Sequence, residues 1–256
     1  MNELKIFNSV KEFIEFRKQI HPDIELGLVP TMGALHQGHA SLIKQSASEN
    51  DLTVLSIFVN PTQFNDPTDF SKYPKTWTDD LKMASDSGAD IVISPTAEEI
   101  YFDKYRYKVT ESDFSKRLCG AHRPGHFDGV LTVVLKLLML VRPSKSYFGE
   151  KDYQQLQLIK DMVASFFIST EVIGCPTFRE NSGLAMSSRN MRLSESARIK
   201  AASIFKCLSE NVSAAEVKNN LSALGFDVDY VEDEGSRRFV AATLEGIRLI
   251  DNVKIK

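Results

Sequence analysis

An apolar run that turns into a helix through two glycines and two histidines limits the folds open to this chain more than any other stretch. Residues 26–29 have the pattern of a buried strand, and Pro30 is expected to end it because proline has no N–H to donate. A helical pattern starts near Gly38 and continues to about Glu49. The stretch therefore predicts a strand that passes through a tight turn into a helix, as in α/β proteins.

The predicted turn has a physical use, because the first N–H groups of a helix are unpaired and carry partial positive charge. Such a helix start is a ready anion site, for which phosphate is the common ligand. His36 and His39 are three residues apart, so they lie on one face and are able to donate to phosphate oxygens. The turn alone also leaves open that they are ordinary surface or core histidines.

Composition is that of an ordinary globular protein. The 256 residues are 43% hydrophobic and 25% charged, enough for one large domain or two smaller ones. A net charge of −3 gives no electrostatic case for a nucleic-acid partner. The three cysteines form no CxxC pair, and no apolar stretch is long enough to span a bilayer. We therefore expect a cytoplasmic protein with neither a nucleic-acid nor a membrane partner.

A second apolar run, residues 52–59, has the pattern of the next buried strand. Asn60 and Gln63 follow it directly, at the carboxyl end of a strand, where open α/β sheets bind ligands. Their amides offer both donors and acceptors to a substrate hydroxyl or carboxylate. Asn60-Pro61 is also a frequent turn former, and this explanation stays open.

Two adjacent acids mark the next predicted helix. We expect a polar loop at residues 65–77, with Thr78 capping the helix and Gly88 ending it. Asp79 and Asp80 would suit the positive end of the helix dipole, or they would hold Mg²⁺ through its water shell. The residues by themselves favour the first explanation.

Strands and helices alternate over the first part of the chain. Residues 89–94 complete a β-α-β-α-β order, and residues 146–149 and 169–175 are further strand candidates. This alternation predicts an α/β, Rossmann-like parallel sheet with helices on both faces. Residues 107–110 are an additional short strand candidate. Residues 118–127 form a glycine-rich basic stretch, either a connector or a loop that closes over an anion.

A second strand-to-helix junction carries a lysine. Lys151 follows the strand at 146–149 and precedes a helix, so its charge opposes the helix dipole, which indicates an anionic ligand such as phosphate. Further along, Met186-Ser187-Ser188-Arg189 places two hydroxyls beside a forked cation. This donor set suits polyphosphate, although such strings are usually solvated.

The pattern changes after Asn190. Residues 194–215 and 216–224 have helical patterns, and residues 226–231, 239–244 and 247–252 are strand candidates. Helices followed by hairpin-like strands predict a smaller α+β domain. We place a Rossmann-like nucleotide- and substrate-binding domain at residues 1–176. The smaller domain, with a possible role as a lid, occupies residues 177–256.

Four separated strings resemble the pantothenate synthetase family, which belongs to the nucleotidyltransferases with a His-x-Gly-His signature. Residues 30–39, 58–64, 149–155 and 186–190 match in order, and the similarity covers essentially the whole chain. The last string is similar to the KMSKS loop of that superfamily with its first lysine lost. The resemblance implies ATP-dependent joining of (R)-pantoate and β-alanine through a pantoyl adenylate, with release of pyrophosphate and AMP. It also implies Mg²⁺ and a homodimer.

The resemblance assigns roles to individual residues. His36, His39 and Lys151 would be catalytic and act on the ATP phosphates, with His39 a candidate proton donor to the leaving group. Asp79 would lie near the Mg²⁺. The residues implied for pantoate or β-alanine are Gln63, Gln155, Asn60, Val133 and Val134. The residues implied for ATP are Met32, Gly33, Ala34, Leu35, His36, Gln37, Gly38, His39, Gly149, Glu150, Lys151, Asp152, Phe178, Met186, Ser187, Ser188 and Arg189.

Two departures from the family pattern and two alternative functions are part of this prediction. Phe178 stands where the family has a smaller aliphatic residue at adenine, and the chain is short between Val231 and Arg248. Another nucleotidyltransferase, ending at an adenylylated product, would share the histidine turn without needing two glutamines. A non-catalytic nucleotide-binding module would not need both histidines together with Lys151.

Overall fold

The structure, a computed structural model, describes residues 3–255. Strands and helices alternate up to residue 175, and short helices followed by a hairpin sheet complete the chain. The strands are β1 (Lys5–Phe7), β2 (Leu26–Thr31), β3 (Leu52–Ile57), β4 (Ile91–Ile93), β5 (Lys145–Gly149), β6 (Glu171–Cys175), β7 (Asp227–Glu234), β8 (Arg237–Leu244) and β9 (Ile247–Lys254). The helices are α1 (Val10–Arg17), α2 (Gln37–Glu49), α3 (Pro67–Ser71), α4 (Trp77–Ser87), α5 (Ala97–Ile100), α6 (Cys119–His122), α7 (His126–Val141), α8 (Tyr153–Ser165), α9 (Glu195–Ala201), α10 (Ser203–Leu208) and α11 (Ala214–Ala223).

The first six strands form one parallel sheet in the order β1-β4-β3-β2-β5-β6. Successive apolar side chains of a strand point to opposite faces of the sheet. Leu28 and Val54 join a core that includes α1, α7 and α8, whereas Val29 and Leu55 join a core that includes α2 and α4. The predicted Rossmann-like sheet with helices on both faces is therefore confirmed.

The strand order places two strand-to-helix junctions side by side. From β2 the sheet continues through β3 and β4 in one direction and through β5 and β6 in the other. The crevice at such a switch point, outside the carboxyl ends of the strands, is where open α/β sheets bind ligands. The histidine turn after β2 and the lysine turn after β5 both lie at this crevice.

The last three strands form a separate antiparallel sheet in the order β7-β8-β9. Its connections contain only two residues each, and Glu245 and Gly246 both have positive φ (50° and 72°), as tight hairpin turns require. These turns explain why the chain is short here. Val240 and Ala242 of β8 join a hydrophobic core that includes α10 and α11, whereas Tyr230 and Phe239 join the core of the first sheet. A smaller α+β unit is therefore confirmed.

Pro30 does not end the strand as we expected, because it lies inside β2 and is paired with Ser56 in the register. Thr31 turns its N–H toward the Ser56 hydroxyl of β3, at 3.4 Å, so by alternation the nitrogen of Pro30 faces β5. The ladder with β5 includes only Gly27 and Leu28. Pro30 lies beyond the end of this ladder, so its lack of an N–H costs the sheet no hydrogen bond.

Several local predictions were wrong. Residues 107–110 are not a strand, since the Val109 N–H donates to Thr132 Oγ1 of α7 at 2.9 Å instead of to a ladder. Residues 65–77 are not a plain loop, because the Asp66 side chain caps α3 by accepting the Thr68 N–H at 2.7 Å. The helix after it is preceded by Thr76, not Thr78. We also missed β1 and α6, and residues 194–215 contain two short helices instead of one.

Candidate functional site

A cavity of about 240 Å³ opens at the switch point between β2 and β5. Most of the residues singled out from the sequence line this cavity, and a few do not. The predicted residues that line it are Met32, His36, Gly38, His39, Asn60, Gln63, Val133, Val134, Gly149, Lys151, Asp152, Gln155, Phe178, Met186, Ser187, Ser188 and Arg189. The predicted residues outside its lining are Gly33, Ala34, Leu35, Gln37, Asp79 and Glu150.

A buried carboxylate, that of Asp80, accepts backbone N–H groups of the turn that leads to His36 and His39. Asp80, which is 3% exposed, accepts the N–H of Leu35 at 2.7 Å and of Ala34 at 3.0 Å, and the Thr76 hydroxyl at 3.0 Å. Gly33 has φ of 76°, and a Cβ there would lie 3.0 Å from Asp80 Oδ2. These residues therefore shape the turn and do not face the ligand space. Sequence reasoning missed this use of Asp80, because the two N–H groups lie far from it in the chain.

Asp79 points away from this arrangement. It is exposed on the first turn of α4 and does not line the cavity. Within the described range, 3–255, no group of three or more His, Cys, Asp or Glu side chains is arranged to hold a metal ion.

His36 and His39 stack on each other at the start of α2, with ring centroids 4.0 Å apart. The backbone N–H of His36 donates to His39 Nδ1 at 3.3 Å, so the proton of a neutral His39 belongs on Nε2. His36 Nδ1 is buried and has no hydrogen-bond partner within residues 3–255. A buried polar atom without a partner at a cavity wall is suited to meet a ligand.

Both imidazoles are neutral in the ligand-free protein. Burial, followed by the charge of Lys151, lowers the pKa of His36 to about 4. Burial also lowers the pKa of His39 well below its ordinary value, with further contributions from His36 and Lys151. Each ring therefore offers one N–H donor at neutral pH, and neither carries the extra proton of an imidazolium before an anion binds.

Asn60 orients Gln63 instead of facing the ligand with a free amide. Its Nδ2 donates to Gln63 Oε1 at 2.9 Å and to the Gly129 carbonyl at 3.2 Å. Its Oδ1 accepts the Tyr101 hydroxyl at 2.6 Å. Because Oε1 of Gln63 is engaged, Nε2 is the part of that amide left to meet a substrate.

The backbone of Gln63 is held by a pair of basic side chains. His126 Nδ1 donates to the Gln63 carbonyl at 2.8 Å, and Arg123 donates to the same carbonyl at 3.2 Å and to His126 Nε2 at 3.1 Å. A Cβ on Gly129 would lie 2.5 Å from the Thr62 carbonyl, so only glycine allows α7 to approach this turn. The sequence left open a connector or a loop over an anion here, and it did not reveal that this stretch supports Gln63.

Acidification is expected to destabilise the protein through these buried histidines. Burial, followed by the charge of Arg123, lowers the pKa of His126 to about 3, so between pH 6.5 and about 3 the unfolded chain binds protons that the folded protein does not. The free energy of unfolding should therefore fall as the pH drops below 6.5. His126→Gln keeps a donor for the Gln63 carbonyl but does not titrate. Urea unfolding at a series of pH values should show that the free energy of unfolding of this variant changes with pH less steeply, by about 1.4 kcal/mol per pH unit. An unchanged slope would contradict this assignment.

Lys151 reaches the same cavity from the 3₁₀ turn Glu150–Asp152, which follows β5. Its side chain is 19% exposed, and the carboxylate nearest to it, Asp152, lies at a loose 3.8 Å. Val133 and Val134 of α7 supply an apolar wall, and Gln155 of α8 lies on the same lining. A cation without a close carboxylate among the residues that the structure describes, facing two neutral imidazoles, suits a polyanion.

The segment after β6 closes another side of the cavity. Phe178 is 43% exposed there, and its carbonyl accepts the Met186 N–H at 3.0 Å. Ser188 Oγ lies 3.2 Å from the Tyr73 hydroxyl. The Arg189 guanidinium donates to Asp69 of α3 at 2.9 Å, a partner that the sequence did not reveal. The Ser-Ser-Arg string therefore lies at the cavity, as we expected, but its arginine has a carboxylate partner.

The turns after β2 and β5 are strand-to-helix junctions of the kind that bind phosphate, and they lie side by side at the switch point of a parallel sheet. This arrangement is typical of α/β enzymes that bind nucleotides. A histidine pair on one junction and a lysine on the other narrow this class to enzymes that act on the phosphates. The model of the pantoate-beta-alanine ligase family matches residues 5–254, and this chain belongs to that family.

Curated relatives agree with this membership. The chain is 57% identical over 251 residues to the pantothenate synthetase of Bdellovibrio bacteriovorus, covering 98% of this chain and 99% of that protein. It is 51% identical over 249 residues to the pantothenate synthetase of Legionella pneumophila (strain Lens), covering 97% and 99%. The predicted family and enzyme class, a pantoate–β-alanine ligase, are thus confirmed.

A solved structure agrees with the fold as well. The pantoate-beta-alanine ligase of Francisella tularensis, in complex with beta-gamma ATP and beta-alanine, is 41% identical with a TM-score of 0.94, covering 98% of both chains. The pantothenate synthetase of Thermus thermophilus is 37% identical with a TM-score of 0.90, covering 98% of this chain and 99% of that one. Separately, no helix in the described part of this chain is long and apolar enough to cross a membrane.

Proposed function

We propose that this protein joins (R)-pantoate to β-alanine with the use of ATP, through a pantoyl adenylate, and releases pyrophosphate and AMP. The observation that carries the proposal is a single cavity lined by His36, His39, Lys151, Gln63 and Gln155. The family membership supports it, as does the relative in complex with beta-gamma ATP and beta-alanine.

In the first step a pantoate carboxylate oxygen attacks the α-phosphorus of ATP, and the bond from that phosphorus to pyrophosphate breaks. Such a step needs positioning and neutralisation of charge more than a protein nucleophile. The Nε2–H of His39, the ring of His36 and the ammonium of Lys151 would donate to the phosphate oxygens. The low pKa of the free His39 ring favours this donor role over proton transfer to pyrophosphate.

In the second step the β-alanine amine attacks the acyl carbon, and the bond from that carbon to AMP breaks. The nitrogen loses its proton as the amide forms. Gln63 and Gln155 would keep pantoate in place through both steps, and Val133 and Val134 would pack on its gem-dimethyl group. A substrate wall of this kind excludes water, which would otherwise hydrolyse the acyl adenylate.

The remaining assignments follow the same family pattern. Mg²⁺ would enter with ATP and be held by phosphate oxygens and water, and contact of Asp79 with that water shell stays a prediction. Residues 1–176 and 177–256 would act as two domains, the second as a lid. The protein would work in the cytoplasm as a homodimer, and a sedimenting monomer would remove the dimer from this account.

A direct test of the overall reaction follows the products. The protein is incubated with Mg²⁺, ATP, pantoate and β-alanine, and pantothenate, AMP and pyrophosphate are measured by mass spectrometry. We expect all three products in equal amounts, and no pantothenate when any one substrate is left out. Formation of ADP and phosphate instead would contradict the adenylate route.

Gln63→Ala is expected to impair the use of pantoate more than the use of ATP. Loss of a substrate hydrogen bond costs roughly 1–3 kcal/mol, so kcat/KM for pantoate should fall about tenfold to a hundredfold. The KM for ATP should change by less than about threefold. Gln157→Ala, on α8 but outside the cavity lining, is the matched control. Equal losses for both substrates would count against the role of Gln63.

A further inference from the structure

The small C-terminal sheet is hydrogen-bonded to the backbone of the turn Glu150–Asp152, which carries Lys151. Asn252 of β9 is 3% exposed, and its Nδ2 donates to the carbonyl of Glu150 at 2.9 Å and of Lys151 at 3.0 Å. One amide group thus joins two consecutive carbonyls of the 3₁₀ turn Glu150–Asp152. This is a link between elements about 100 residues apart in the chain.

Arg237 of β8 fixes the orientation of that amide. Its guanidinium donates to Asn252 Oδ1 and, at 2.7 Å, to Glu150 Oε2. The group also lies 3.7 Å from the centre of the Tyr153 ring, at the start of α8. Arg237 and Asn252 are 6% and 3% exposed, so their hydrogen bond is buried, whereas the Glu150 side chain is 30% exposed. Because Oδ1 accepts from arginine, the NH₂ end of Asn252 must face the turn.

No carboxylate within residues 3–255 holds the Lys151 ammonium at ordinary hydrogen-bond length. Asp152, the carboxylate nearest to its Nζ, lies 3.8 Å away, beyond ordinary hydrogen-bond length. The direction in which the ammonium points is therefore set by the packing of its stem, which is only 19% exposed, and by the backbone from which it starts. That backbone is the segment whose carbonyls Asn252 holds.

We propose that Asn252, oriented by Arg237, is a positioning residue that fixes the turn from which Lys151 reaches the phosphates. The inference rests on the role proposed above for Lys151 in the ligation. It gives a sheet outside the Rossmann-like unit a part in the chemistry at the switch point. A misplacement of about 1 Å at a catalytic group is enough to cost on the order of a hundredfold in rate.

The neighbouring arginine supplies a matched control. Arg238 lies next to Arg237 on β8, so the two side chains point to opposite faces of the sheet. Arg238 pairs with Asp233 at 2.7 Å and donates to the Val212 carbonyl at 2.7 Å. Its contacts are therefore within the small unit, and Arg238→Met should lower stability without changing kcat/KM.

The test is a double-mutant cycle on kcat/KM for ATP. Asn252→Ala should lose about tenfold to a hundredfold, mostly in kcat, and Lys151→Met should lose more. If Asn252 acts through Lys151, the double variant should be no worse than Lys151→Met alone. Additive losses would mean that Asn252 only supports the fold, and they would overturn the inference.

A second variant and the single lysine variant separate the possible failures. Asn252→Asp keeps the shape of the side chain and its pairing with Arg237, but it places an acceptor oxygen against both carbonyls. We expect it to lose as much activity as Asn252→Ala. It takes the place of the alanine variant in the test if that variant fails to fold. Thermal unfolding of each variant checks the fold. An unchanged kcat/KM in Lys151→Met would contradict the proposed function itself, whereas additivity with an impaired Lys151→Met would contradict only the role of Asn252.

Discussion

Turnover in His39→Ala is expected to fall by on the order of a hundredfold or more, while ATP still binds. The reason is geometric, because His39 lies on the cavity and its Nδ1 is committed to the backbone N–H of His36 at 3.3 Å. Only Nε2–H is left for a phosphate oxygen. A donor aimed at charge that develops in the transition state contributes more to rate than to ground-state binding.

The measurement compares kcat with the Kd for ATP from calorimetry. His39→Asn is the informative partner variant, since its amide oxygen stands near the position of Nδ1 and still accepts the His36 N–H, but nothing replaces Nε2–H. We expect both variants to lose turnover to a similar degree. A loss of less than about tenfold in His39→Asn would place the chemistry elsewhere, and a non-catalytic nucleotide-binding module would then be the better account.

Lys151→Met is the second change from which we expect a large effect, a loss of about a hundredfold to a thousandfold in kcat/KM for ATP. The ammonium is the cation that the turn after β5 brings to the cavity, and no carboxylate within residues 3–255 binds it closely. Methionine keeps most of the length and apolar contacts of the stem but removes the charge. Lys151→Arg, which keeps a charge with a different shape, should recover only part of the activity.

The same variant has a signature that does not depend on turnover. The charge of Lys151 helps to lower the pKa of His36 to about 4, and it also lowers that of His39. In Lys151→Met both pKa values should therefore rise in the ligand-free protein, as histidine NMR titrations would show. Unchanged titration curves would mean that the lysine is not close to the imidazoles, and the site as described would be wrong.

The fold was largely predictable because its signals are local. The alternation of apolar strands and amphipathic helices is sufficient to indicate a parallel sheet. The two junctions that carry His36 and Lys151 were also visible, since a strand followed by a helix start needs no distant information. Pro30 misled the prediction because its tolerance depends on where the ladder with β5 ends. That is a property of two strands far apart in the chain.

The supports of the site were not predictable for a related reason. Asp80 was considered as a helix-dipole or Mg²⁺ residue, although its carboxylate holds the N–H groups of Ala34 and Leu35. Asn60 was expected to contact substrate, yet its amide is used to orient Gln63. Residue type and spacing indicate which side chains have suitable chemistry. Only the tertiary structure shows which of them are already committed to other protein groups.

The order of events distinguishes an adenylate-forming ligase from its alternatives most directly. The protein would be mixed in stoichiometric amounts with ATP and Mg²⁺, and pyrophosphate release followed with and without pantoate, before β-alanine is added. We expect a burst close to one equivalent that requires pantoate, followed by steady turnover and AMP once β-alanine arrives. Pyrophosphate that appears only after β-alanine is added, or that needs a different acceptor, would contradict it.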